Sequence, residues 1–241
     1  LQLAALGGVL LLVFAGLLAL GTWQVARRSW KLDLIARVES RVNAPATAAP
    51  GPAAWPALAA AQDEYRHVTA SGVFRNGAET LVQANTEYGA GYWVLTPLLT
   101  DGGFTIMINR GFVPGDRRSP ADRAAGAVTG TASVTGLLRM TEPKGSFIQS
   151  NDPPNERWYS RDVAAIAAAR GVGAVAPYFI DADAAPNAGG LPIGGLTVIS
   201  FPNNHLVYAI TWYGLALMLA GGAAYIGRQE WRLLRKPGGR A

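Results

Sequence analysis

The sequence predicts a membrane protein in which two transmembrane helices flank a mostly antiparallel β (α+β) extracytoplasmic domain. Three observations carry this. Residues 1–26 and 184–227 contain no charged side chain. The 157 residues between them hold 31 of the 37 charges, about 20%, an ordinary density for a water-facing domain. Inside that middle region, short β-branched and aromatic runs are separated by Gly, Asn and Asp, which is how strands and turns read.

The elements follow in order. Residues 1–20 (LQLAALGGVLLLVFAGLLAL) are almost wholly apolar. A helix rising about 1.5 Å per residue needs roughly 20 such residues to cross a bilayer. The run exceeds the roughly 7–15 apolar residues of a signal peptide and passes into Gly21-Thr22-Trp23-Gln24, so residues 1–26 read as an anchor. Because Leu1 rather than Met stands first, a short preceding segment is expected. Trp23, Arg27, Trp30, Leu34 and Val38 recur at helical spacing, continuing the helix to about Val42. The Ala- and Pro-rich stretch 43–61 breaks it, so 27–61 reads as a juxtamembrane amphipathic helix and a linker.

The β-rich domain spans 62–201, with strands expected at 65–74, 80–84, 92–99, 104–113, 127–139 and 176–181. Its one helix is 161–170, with Asp162 as N-cap and Gly171 as C-terminal stop. Residues 202–227 form the second span, apolar from 206, with Trp212, Tyr213, Tyr225 and Trp231 as interfacial aromatics. Small residues (Gly7-Gly8, Gly16, Gly221-Gly222) are expected to let the spans approach closely.

Charge sets the orientation. The tail 228–241 carries Arg228, Arg232, Arg235, Lys236 and Arg240 against Glu230, a net of +4. Basic residues within about 15–20 of a span end mark the cytoplasmic side, so both termini belong there. The segment 27–41 is also basic, at +3, but a long domain is translocated largely regardless of its own charge. Removing both flanks from the overall +5 leaves −2, so no basic patch for nucleic acid remains.

Cysteine is absent, which excludes thiolate zinc sites, iron–sulfur clusters and disulfides. Two histidines cannot build a multi-histidine cage. At helical spacing His205, Tyr208, Ala209 and Trp212 share one face at the mouth of the second span. An interfacial imidazole above aromatic rings can serve as an axial haem ligand; a lone interfacial histidine is more often a hydrogen-bonded helix-start residue. His67 reads as strand packing. Arg110 can hold a carboxylate such as a propionate, or tie down its neighbouring turn. Asp152, Glu156, Asp162, Asp181 and Asp183 are too dispersed to form an acid–base pair, and no nucleophile elbow or phosphate loop occurs. The chain reads as no enzyme.

Several blocks, in order, resemble the Surfeit locus protein 1 family of cytochrome c oxidase assembly factors. They include Gly21-x-Trp23-Gln24-x-x-Arg27-x-x-Trp30-Lys31, Tyr65-Arg66-x-Val68-x-x-x-Gly72-x-Phe74 and Gly91-Tyr92-x-Val94-x-Thr96-Pro97-Leu98. Asn109-Arg110-Gly111-Phe112-Val113-Pro114, Gly136-Leu137-Leu138-Arg139, Asn151-Asp152-Pro153 and Trp158-Tyr159-x-Arg161-Asp162 continue the series. It closes with Asp181-Ala182 and Asn203-Asn204-His205-Leu206-x-Tyr208-Ala209-x-Thr211-Trp212.

The resemblance implies an assembly factor for a haem–copper terminal oxidase that assists haem a delivery into subunit I. His205 would be the haem-iron ligand, with Tyr208 and Trp212 as neighbours on the same helix face. The partners implied are oxidase subunit I, a haem a synthase and the lipid bilayer. The location implied is the bacterial inner (cell) membrane, with the central domain periplasmic. The alternative is a stably bound accessory subunit that handles no haem.

Overall fold

In the computed structural model, which describes residues 2–145 and 148–235, the chain divides into two units, residues 38–199 and the terminal stretches 1–37 with 200–241. The strands of the first unit are β1 (Thr47–Ala48), β2 (His67–Phe74), β3 (Thr80–Thr86), β4 (Gly89–Thr100), β5 (Thr105–Pro114), β6 (Thr131–Met140) and β7 (Val175–Ala182). They form one sheet in the order β1-β2-β6-β7-β5-β4-β3. β2 also pairs with β4 through Gly72–Phe74, so β2, β6, β7, β5 and β4 close into a ring. Five of the seven pairings are antiparallel. β1–β2 and β5–β7 are parallel, which period-2 patterning cannot reveal.

Alternation places the core. Ile106 and Ile108 of β5 face the barrel interior with Phe74, Leu98, Leu138, Tyr178 and Ile180. Met107, between them, faces outward onto Phe179, Leu95 and Trp158. A helix, α3 (Val163–Ala169), covers that outer face with Val163 and Ile166. β5 and β7 are therefore buried on both sides, which is why they read as near-continuous apolar runs. Each fully buried side chain of this size contributes roughly 1.5–3 kcal/mol. Asp162 caps α3, accepting a hydrogen bond from the Ala165 amide at 3.1 Å, and Gly171 ends it at φ +60°.

The stretch 43–61, expected as a linker, belongs to this unit. A one-turn helix, α2 (Ala60–Asp63), closes it. Trp55 and Leu58 pack on the interior cluster, Trp55 edge-on to Phe104 at 5.8 Å. The buried Tyr178 hydroxyl donates to the Pro50 carbonyl at 2.8 Å. The prolines stop a helix here but do not stop burial.

His67 also does more than pack. Its Nε2 faces Asp183 Oδ2 at 2.8 Å and its Nδ1 faces the Ala44 carbonyl at 3.0 Å. Two acceptors favour the doubly protonated ring. The Asp183 hydrogen bond raises its pKa above the ordinary 6.5; burial opposes this, while the Ala44 carbonyl and the Asp183 charge add to it. Stability from this pair is full below about pH 6.5 and is lost as pH rises through the raised folded value. Asp183 is 44% exposed, so solvent keeps the effect under about 1 kcal/mol. The stability gap between wild type and His67→Gln, measured by chemical denaturation, should shrink as pH rises from acid to alkaline. A gap independent of pH would show that the ring is neutral.

α1 (Gln2–Val42), which belongs to the second unit as far as Arg37, and α4 (His205–Leu234) are each long and apolar enough to cross a membrane. α1 runs unbroken to Val42, as its spacing predicts. α4 continues past 227, so Arg228 and Arg232 are helical; Lys236 and Arg240 lie outside the described residues. The two helices pair antiparallel. On α1 the more buried positions run Phe14, Leu17, Gly21, Gln24, Arg28 and Lys31; on α4 they run His205, Ala209, Trp212, Ala216 and Leu219. Steps of three and four residues make a heptad seam.

Close approach occurs at Gly21, where a Cβ would lie 2.8 Å from the Tyr213 ring. The Tyr213 hydroxyl and Thr22 Oγ1 are 3.1 Å apart. A Cβ on Gly7, Gly8, Gly16, Gly221 or Gly222 would meet nothing within 4 Å. The expectation that those residues make the approach is corrected. They sit away from the tight part of the seam.

Candidate functional site

The seam carries a polar pair. Gln24 is buried on α1, and His205 opens α4 opposite it. His205 Nδ1 donates to Gln24 Oε1 at 2.7 Å. An imidazole that donates through Nδ1 carries its lone pair on Nε2. Among the described residues that nitrogen has no recorded hydrogen bond. The ring is thus oriented by one contact and open at the atom that binds metals. Metal-binding histidines are held in this way, the second nitrogen fixing ring and tautomer.

The surroundings are mixed. Ala209 is buried beneath His205 and Trp212 is half-buried one turn further. Tyr208 is 54% exposed, at the edge of the same face rather than in the seam. On the other side of His205, the chain 201–204 runs beside α1, with the Lys31 ammonium 5.2 Å from the Phe201 ring centre. The Asn203 side-chain oxygen is buried with no hydrogen-bond partner among the described residues. One half-open imidazole, aromatic neighbours and an unused acceptor suit a large, flat, mostly apolar ligand bearing a metal.

A second polar cluster lies in the barrel unit, beside a cleft of about 440 Å³. Asp181 of β7, 3% exposed, accepts from Asn109 Nδ2 at 2.7 Å and Arg139 Nη1 at 2.9 Å. It also accepts from Thr197 Oγ1 at 3.0 Å and Arg161 Nη1 at 3.1 Å. Arg161 makes a two-pronged contact with Glu142, and Arg139 reaches Glu64 at 2.7 Å. Burial alone would raise the Glu142 carboxyl, but the Arg161 hydrogen bonds and charge hold it below the usual range. Two cations meet three anions, so the arginines are already spoken for. The cluster locks strands together and leaves no cation for an anionic ligand.

Arg110 is also committed. Its guanidinium donates to the Gly126 carbonyl and lies 5.1 Å from the Phe74 ring centre. It holds backbone sixteen residues further on rather than the neighbouring turn that the sequence suggested.

The family model described as the SURF1 family matches residues 11–217. The chain belongs to the SURF1 family. The matched span includes both Gln24 and His205, as well as the Asp181 cluster. Human Surfeit locus protein 1 is 38% identical over 227 residues, which cover 86% of this chain and 73% of the human one. The mouse protein is 40% identical over 224 residues, covering 86% and 70%. A SURF1-like protein of Monosiga brevicollis is 38% identical over 236 residues, covering 91% and 84%.

Sequence reasoning singled out His205, Tyr208 and Trp212 but missed Gln24, 181 residues away from its partner. The available signal was the Gln24 carboxamide in the uncharged first span, which needs a partner if the span packs.

Proposed function

We propose that this SURF1 family member is a membrane-anchored assembly factor for a haem–copper oxidase, without catalytic turnover. It would receive haem a, as cargo from a haem a synthase, and assist its entry into subunit I. The reading is supported most by the Gln24–His205 pair, which presents Nε2 as a single unshared ligand. When bound, haem a supplies an iron with axial positions for nitrogen ligands. His205 would hold the iron through Nε2 as the one ligand from this chain, so that the haem could pass on to the recipient. Gln24 keeps the ring from turning, and Trp212 and Tyr208 offer aromatic surface.

The two apolar helices would cross the bacterial cell membrane, with both termini cytoplasmic and the barrel periplasmic. The basic tail supports that orientation.

The test is direct. The full chain, expressed with haem a synthesis and purified in detergent, is expected to carry haem a with an imidazole-ligated optical spectrum. His205→Ala should lose most of the bound haem and the axial signature. Full haem retention by that variant would sink the assignment. Recovery of the chain at equal stoichiometry with mature, active oxidase would instead make it a resident subunit.

A further inference from the structure

Beyond Gln24 the α1 seam changes character. Arg28 and Lys31 take the next two seam positions and are half-buried, whereas Arg27 faces out and stacks on Trp30 at 4.0 Å. At about 1.5 Å per residue they lie roughly 6 and 10 Å along the axis from Gln24. Neither has an ion-pair partner among the described residues; Lys31 rests on the Phe201 ring at 5.2 Å. No acidic residue occurs anywhere in 184–227 to neutralise them. Half-buried cations that make no ion pair among the described residues, close to an open imidazole, can take an anion.

The arrangement is also directional. On one side of His205 the seam is Ala209, Trp212 and Ala216; on the other it is Arg28, Lys31 and Phe201. A tetrapyrrole has the same asymmetry, with two carboxylates on one edge and apolar substituents elsewhere. We propose that Arg28 and Lys31 receive the two propionate carboxylates of the tetrapyrrole whose iron His205 holds. This rests on the haem-carrying reading above. The guanidinium of Arg28 offers paired donors to one carboxylate, and the Lys31 ammonium supplies a point charge to the other. Together with His205 they fix the ring's rotation about the Nε2–iron axis, which one ligand bond leaves free.

The shared chemistry is a pair of oxyanions, and a phosphate of an anionic lipid could supply it as well. The experiment separates the sources. The purified full chain is titrated with haem a and with its propionate dimethyl ester, following the Soret band, in phosphatidylcholine nanodiscs. Wild type is expected to bind the free acid at least about tenfold more tightly than the ester. Arg28→Gln combined with Lys31→Gln should bind both forms with the affinity wild type has for the ester, keeping the imidazole-ligated spectrum. Equal affinity of wild type for acid and ester overturns the proposal without any variant. So does a double variant that keeps the preference.

If wild type binds neither form, the haem-carrying reading itself fails and this proposal fails with it. Repeating the titration in an equal mixture with phosphatidylglycerol should leave the preference intact. Its collapse there would assign the two cations to lipid phosphate and overturn the proposal.

Discussion

Asp181→Asn is expected to destabilise the barrel by about 3–5 kcal/mol, because it leaves two buried arginines with part of their counter-charge removed. Asp181 is the point where Arg139 and Arg161 meet, at 2.9 and 3.1 Å, in side chains only 13–16% exposed. Asparagine keeps the shape but turns a full acceptor into half a donor facing two cations. At roughly 2–4 °C per kcal/mol for a chain this long, the melting temperature of the detergent-solubilised protein should fall by about 10 °C. Asp101→Asn, at an exposed turn, should change stability by less than about 0.5 kcal/mol. A loss at Asp181 no larger than that control would show the arginine charges to be hydrated rather than paired.

Gly111→Ala should cost roughly 2–5 kcal/mol. Gly111 sits at φ +126°, and a Cβ there would run into the Ile193 carbonyl. That carbonyl cannot retreat, since it accepts from the Phe112 amide at 2.8 Å while the Ile193 amide donates back at 2.8 Å. Both the left-handed strain, about 1–2 kcal/mol, and the overpacking, typically 1–3 kcal/mol, therefore apply. Gly103→Ala separates the two. Its φ is +80° but a Cβ would meet nothing within 4 Å, so only the strain of about 1 kcal/mol should appear. Equal losses at the two positions would mean that the backbone at Ile193 yields.

Local patterning made much of this fold legible. The uncharged runs marked α1 and α4, and β-branched alternation marked the strands, because both are properties of neighbouring residues. Closure of the ring was not legible, since the Gly72–Thr100 register depends on sheet twist summed over five strands. Nor was the Asp181 cluster, whose members Glu64, Arg139, Glu142, Arg161 and Asp181 come from strands and loops far apart in the chain. Two residues hinted at it: Asp181 ends the apolar run Tyr178-Phe179-Ile180, and Arg139 interrupts Leu137-Leu138 and Met140. A charge set among buried apolar residues of a strand must find a partner. At the seam, glycine pairs drew attention by composition, yet the single Gly21 makes the close approach because Tyr213 is opposite it.

The Gln24–His205 hydrogen bond joins the first tenth of the chain to the last fifth, and everything between must be made before it can form. During synthesis, domains generally fold in order of emergence. The barrel strands all precede residue 183, so that unit can be complete while α4 is still inside the ribosome. A chain interrupted just before His205 would hold every barrel strand, and Gln24 without the imidazole it orients. Premature termination in that short window should separate a stable fold from a working one.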